Sequence, residues 1–385
     1  MFRLIFSYAF RPFFLLVAAY ALLMLLAWAS YLSGIMGWPD GLLPRVRHGH
    51  EMIFGFAGGA VAGFLLTAVA TWTNRPPVAG AALMALCLAW GLARLGGFLP
   101  GAFGWVAWGL SSLVFWGGLL ALLGREIIGA RNARNYKALA LLSAFLATEA
   151  TFFMAAGQNV ELQEGCLRAG IFLLLGMVVL VGGRIIPAFT QNWLDQNRPE
   201  RGARIPSFDR IDGGAVAVTA LFAVGFVFWP GAALTGALGL AAAAAQAARL
   251  WRWQGWLAGR EPLLWVLHVG FAWLPVGFAL LGASILGAPV LWESGIHALA
   301  YGTVGTLILG VAARVALGHT GRPLRASPLM ALAFALITLG TLCRILAQPG
   351  HGVWMTLSVA LWLAAYGLFL IQYVPILLSP RASDA

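Results

Sequence analysis

The chemistry available to this chain is concentrated in its six histidines, and their spacing limits what they can do. His48-Gly49-His50-Glu51 places two imidazoles one residue apart, followed at once by a carboxylate. If this stretch is extended, or if His48 sits just ahead of a helix, the two rings can converge on one metal ion. In a regular helix they diverge by roughly 200°. Gly49 leaves the backbone free to bend. His268 lies six residues past Pro262, about 9 Å along a helix. His297 lies near the start of an apolar run, and His319 follows it by 22 residues, roughly 33 Å of helix. That is a full membrane thickness, so those two cannot share a mononuclear site. Each histidine also has a plainer reading, as a ring capping a helix or hydrogen-bonded between helices. His351, after Pro349-Gly350, reads as a solvated loop residue.

Neutral imidazole suits haem iron and copper, and arginines within apolar segments are natural partners for haem propionates. Arg94, Arg184, Arg314 and Arg344 are the candidates for that role. No carboxylate cluster of the kind that magnesium or calcium needs is visible. Glu149 stands alone in the middle of an apolar run, where it either relays protons or bonds to a neighbour. Cys87, Cys166 and Cys343 form no CxxC or CxxCH pair. That argues against a disulfide framework, covalent c-type haem and an iron–sulfur site.

Lipid-embedded helices must position these residues. The 385-residue chain is 61% hydrophobic and 10% charged, with mean hydropathy +0.86. No water-soluble fold hides that much apolar surface. The net charge of +11 does not imply nucleic acid, because the positives are mostly single arginines between long apolar runs. The N-terminal stretch lacks the small-residue pattern of a cleavable signal. Runs long enough to span a bilayer predict an all-α polytopic protein of about twelve transmembrane helices: 13–35, 52–72, 81–98, 105–123, 138–156, 167–186, 214–229, 232–251, 263–285, 291–317, 328–346 and 353–378. The seventh and eighth are separated only by Pro230-Gly231. Arginines crowd alternate loops, which predicts both termini in the cytoplasm of a bacterial inner membrane. The polar loop 195–212 divides the chain into six-helix halves, 1–194 and 213–385, within one membrane domain. With that topology His48, His50, Glu51, Arg94, Glu293, His297 and Arg344 form a periplasmic layer. Asn74, Arg184, Thr190, Gln191, Asn192, His268, Arg314 and His319 form a cytoplasmic one.

Several segments resemble a known family. Phe10-Arg11-Pro12-Phe13-Phe14, Arg47-His48-Gly49-His50-Glu51-Met52-Ile53-Phe54-Gly55-Phe56 and Gly63-Phe64-Leu65-Leu66-Thr67-Ala68 resemble the opening of NnrS family proteins. The likeness continues in Gly183-Arg184-Ile185-Ile186-Pro187-Ala188-Phe189-Thr190-Gln191-Asn192, in His297-Ala298-Leu299, and in Arg314 through Arg322 with His319. Family members usually carry an aromatic residue where Arg47 stands. The resemblance implies a twelve-helix inner-membrane protein that contains haem (b-type) and copper and accompanies the bacterial response to nitric oxide, nitrosative stress and denitrification. It implies His48, His50, His268, His297 and His319 as candidate ligands. Glu51, Arg184, Asn192, Arg314 and Arg322 become candidate supporting residues.

The leading expectation is therefore a redox metalloprotein that binds nitric oxide and is a candidate oxidoreductase, with an electron donor that the sequence does not name. Nitric oxide is small, neutral and lipid-soluble, and it reaches a buried haem through the bilayer. An oxidase-type haem–copper centre wants about three imidazoles on copper, and the periplasmic layer holds only His48, His50 and His297. The alternative is a transporter or cofactor-handling protein that moves or delivers metal or haem.

Overall fold

The computed structural model describes residues 2–38, 42–155, 159–201, 204–347 and 352–382. Among the described residues the chain is helical and contains no strand. Beyond a short N-terminal turn and the 3-10 turns Pro199–Arg201 and Gly255–Ala258, the described residues form twelve helices: α1 (Phe10–Leu32), α2 (Pro44–Thr73), α3 (Ala81–Gly96), α4 (Gly101–Gly129), α5 (Ala133–Met154), α6 (Val160–Asn197), α7 (Arg210–Phe228), α8 (Ala233–Arg252), α9 (Pro262–Ile285), α10 (Trp292–His319), α11 (Pro328–Leu346) and α12 (Gly352–Leu377). Each lies on one of the apolar runs. Eleven are long and apolar enough to cross a membrane, while α3, at 16 residues, is shorter. The protein is thus an all-α polytopic membrane protein. Helices satisfy every interior backbone group within the segment, which lipid demands. Leu88, Leu110, Val114, Leu221 and Ile371 stand exposed in mid-helix, as they do where the solvent is hydrocarbon.

Local signals place the ends. Pro44, Pro262 and Pro328 open their helices, where a missing N–H costs nothing. Asn74 adopts φ 52° and closes α2. Between α7 and α8 the break falls at Pro230-Gly231, since α7 ends at Phe228 and α8 starts at Ala233. Asp209 caps α7, accepting from the Ile211 N–H at 2.9 Å, and a reciprocal Asp212 completes the capping box. Arg252 bonds to Asp209, and this charge-assisted contact holds the Asp209 carboxyl far below the usual carboxylate range.

Three helices widen into π turns: α2 at Glu51–Ala57, α6 at Val178–Gly182 and α10 at Ala298–Gly305. Each adjoins a motif singled out above: the first follows His50, the second ends at the residue before Gly183-Arg184, and the third follows His297. Such widened turns are rare and concentrate at functional sites.

The chain forms two compact units. The first comprises Met1–Leu173, Val315–Arg322 and Leu370–Ala385. The second comprises Leu174–Arg314 and Pro323–Phe369.

Candidate functional site

In the first unit the residues that lipid should not tolerate are gathered around the π turn of α2. His50, Glu51, Arg94, Ser112 and Glu149 are all buried, coming from α2, α3, α4 and α5. His50 Nδ1 lies 3.2 Å from Glu51 Oε1, and His50 Nε2 lies 3.1 Å from Glu149 Oε2. Arg94 donates to Glu51 Oε2 at 2.5 Å and to Ser112 Oγ at 3.1 Å, and the Tyr20 hydroxyl also donates to Glu51. Both nitrogens of His50 face carboxylate oxygens, and a carboxylate only accepts. The arrangement needs one proton shared between His50 and Glu149, and with it the cluster is neutral. Glu149 Oε1 is buried with no hydrogen-bond partner. Phe54, Trp108, Phe152 and Phe153 surround the ring of His50.

The π turn makes room for this cluster. Gly55 presents its Cα to the guanidinium of Arg94, and its carbonyl accepts from Trp90 Nε1 at 2.9 Å. A Cβ at Gly55 would lie 2.3 Å from Arg94 Nη1. Gly55→Ala is therefore expected to displace Arg94 and cost about 1–3 kcal/mol. Gly91→Ala on α3, where a Cβ meets nothing within 4 Å, should instead be neutral or stabilising by up to about 1 kcal/mol. Thermal unfolding of the two variants in detergent checks the contrast.

His48 and His50 do not converge. Both lie in the regular turns of Pro44–His50, so they point to different sides of α2. His48 stacks on Trp28 with ring centroids 4.4 Å apart. Arg47 is buried between Trp38 and Trp108, 5.0 and 4.7 Å from their ring centres, so its planar guanidinium takes the place of an aromatic side chain. His319, also in this unit, packs against Tyr8 and Phe10 at 5.2 and 5.5 Å.

The second unit carries a different arrangement, centred on His268. Thr190 Oγ1 lies 2.9 Å from Ile186 O and 2.8 Å from His268 Nε2. The hydroxyl has one proton, and the carbonyl, which can only accept, takes it. Thr190 must then accept from His268 Nε2–H, so the lone pair of the ring sits on Nδ1. That nitrogen is buried and has no hydrogen-bond partner. A Cβ on Gly255 would stand 2.4 Å from both Cγ and Nδ1, so the bare backbone of Gly255 rests on the face of the ring. Trp253 meets His268 edge-on at 6.4 Å. The same Trp253 lies 5.3 Å from the guanidinium of Arg249. Arg249 is fully buried, donating to Asp212 at 2.5 Å and to Val179 O at 2.9 Å in the π turn of α6. Gly183 there plays the part of Gly55, since a Cβ would lie 2.1 Å from Arg249 Nη2.

His297 donates through Nδ1 to Glu293 O at 2.8 Å, which leaves Nε2 as the basic nitrogen. Contacts of Gly295 with Leu281, Gly277 with Leu299 and Gly270 with Leu307 set the register of α10 on α9. They bring His297 level with Ala279, eleven residues from His268. The two histidines therefore stand about 16 Å apart along the helices and belong to separate sites.

Among the described residues, no three His, Cys, Asp or Glu side chains converge to hold a metal ion. Arg184 and Asn192 are exposed, Arg314 packs over the ring of Phe189 at 4.0 Å, and Arg344 is half-buried. His351 lies outside the described residues. Glu149, alone in the sequence, is tied to His50. Tyr20, Ser112, Asp212, Arg249 and Glu126 were not singled out from the sequence. Tyr20 and Ser112 are unremarkable in an apolar run, and Asp212 and Arg249 look like helix-end charges. Glu126 also reads as a helix-end charge, and the structure pairs it with Arg75 and with Arg125, each at 2.7 Å.

Buried, paired charges inside spanning helices, with fixed imidazoles beside π turns, define a polytopic membrane protein built around internal polar centres. The family model described as NnrS protein matches residues 4–381, and the chain belongs to the NnrS family. A search of curated proteins gave no match.

Proposed function

We propose that this protein binds haem and copper in the bacterial inner membrane and acts on nitric oxide in the defence against nitrosative stress. Family membership supports a role in the nitric oxide response. The observation that carries the metal reading is His268, whose ring is locked in one tautomer with an unpartnered, buried Nδ1 lone pair. A ligating histidine is built this way, with the opposite N–H tied to a protein acceptor. His297 shares one part of this, an N–H tied to a protein acceptor, Glu293 O. His50 lacks the unpartnered nitrogen, because both of its nitrogens are engaged by carboxylates.

His268 and His297 are accordingly the residues that would hold the two metals, and Arg314, in the same unit as His268, is a cation that could meet a carboxylate of a haem. Bound haem iron would supply the open coordination position that nitric oxide seeks. Thr190 orients His268, and the apolar wall of Trp253 and Phe271 excludes water. In the first unit Glu149 and His50 hold a proton that a reduction would require. Nitric oxide itself arrives through the bilayer.

Each of the five candidate histidines is to be replaced by alanine in turn, with haem read from reduced-minus-oxidised spectra and copper by elemental analysis. Loss of metal is expected for His268→Ala and His297→Ala, whereas His50→Ala should mainly lower stability. A wild-type protein with neither a Soret band nor copper would sink the reading. Weak, exchangeable metal with uptake into vesicles would point to transport instead.

A further inference from the structure

Two motifs more than three hundred residues apart in sequence meet in the first unit, and the proposed chemistry uses neither of them as a charge. Arg11, from the opening motif, and Arg322, from the closing one, lie within electrostatic range of each other. Arg381 lies within range of both His319 and Tyr8. The tail that carries Arg381 is fastened in place. Ala382 N–H donates to Thr320 O at 2.9 Å, and the side chain of Arg381 packs 3.4 Å from the Cβ position of Gly321. Arg11 is itself buried, donating to Leu377 O at 2.6 Å and Ser379 O at 2.8 Å.

The 377–382 tail, bonded to Arg11 on one side and to the Thr320-Gly321 turn on the other, thus brings Arg11, Arg322, Arg381 and His319 to one end of the helices. Among the described residues, none of the three arginines pairs with a carboxylate. The buried arginines Arg94 and Arg249, by contrast, each have an acid built in beside them, Glu51 and Asp212. Arg322 Nη1 is buried with no hydrogen-bond partner. A buried guanidinium donor without a protein acceptor, as at Arg322, beside two further cations, is suited to a multiply accepting oxyanion, and phosphate matches the forked geometry of arginine. The position at the end of spanning helices is where lipid headgroups lie.

We propose that Arg11, Arg322 and Arg381, with Tyr8 and His319 beside them, form a binding site for a phosphate group, supplied by the headgroup of an anionic phospholipid or by free phosphate.

The test uses the full-length protein in neutral detergent. Thermal unfolding is followed against short-chain phosphatidylglycerol, short-chain phosphatidylcholine and inorganic phosphate. Protection by phosphatidylglycerol well beyond that by phosphatidylcholine identifies a lipid site, and equal protection by inorganic phosphate identifies a free-anion site. Arg322→Gln combined with Arg381→Gln should weaken the protecting ligand roughly 30-fold, the loss of two interfacial cations. The single Arg381→Glu variant, changed at an exposed position, keeps the test open if the double variant does not fold, and it should also abolish the preference. No protection by either phosphate ligand, or protection that these variants leave intact, overturns the site. So does a variant that loses haem while its lipid response is unchanged, because a haem carboxylate would then be the natural occupant.

Discussion

Arg94→Leu is expected to destabilise the protein by on the order of 3–5 kcal/mol, the cost of stranding one member of a buried ion pair. Glu51 is 1% exposed and Arg94 5% exposed, so neither has water to fall back on. The remaining donors to Glu51, Tyr20 and His50, are neutral or shared with Glu149. Converting Glu51 to leucine as well removes the stranded charge, and the double variant should recover most of the loss. A double-mutant cycle read by detergent thermal unfolding reports the coupling directly. A double variant as unstable as the sum of the two singles would show that the pair has no special partnership. His50 and Glu149 adjoin the pair, so the cycle should be run with both unchanged.

Thr190→Val is expected to lower metal occupancy at His268 by 10–100-fold, the usual cost of removing the partner that orients a ligating histidine. Valine preserves the shape of threonine and deletes only the hydroxyl that accepts from His268 Nε2 at 2.8 Å. The ring then loses both its anchor and its tautomer, and a proton on Nδ1 competes with the metal. Thr190→Ser restores the hydroxyl and should restore occupancy. The readout is metal content together with the absorption or electron paramagnetic resonance signature of the centre, so a simple loss of fold is separable from a loss of ligand orientation. Unchanged occupancy in the valine variant, with His268→Ala devoid of metal, would leave His268 as the ligand and dismiss Thr190. Full occupancy in both would dismiss His268.

The architecture was legible from apolar run length, proline and glycine punctuation, and the placement of helix caps, because lipid enforces a single local solution on each run. That is why, among the described residues, each of the twelve helices overlaps one of the apolar runs, with α2 and α6 extending well beyond theirs and α3 shorter than a full span. The histidines were legible as chemically capable groups. Their partners were not, because a partner is chosen by packing and not by spacing. His48 and His50 have only Gly49 between them and yet point apart, since Pro44–His50 is regular helix and turns one ring onto Trp28 and the other onto Glu149. Glu149 looked solitary because its partner is 99 positions away. Arg249 looked like a helix-end charge because nothing in its neighbourhood announces that Gly183 and the π turn of α6 will receive it. Helix formation is a local matter of backbone hydrogen bonds and solvent, and it is written in consecutive residues. A buried polar atom must find its complement wherever in the chain it lies, and only tertiary packing decides which one it finds.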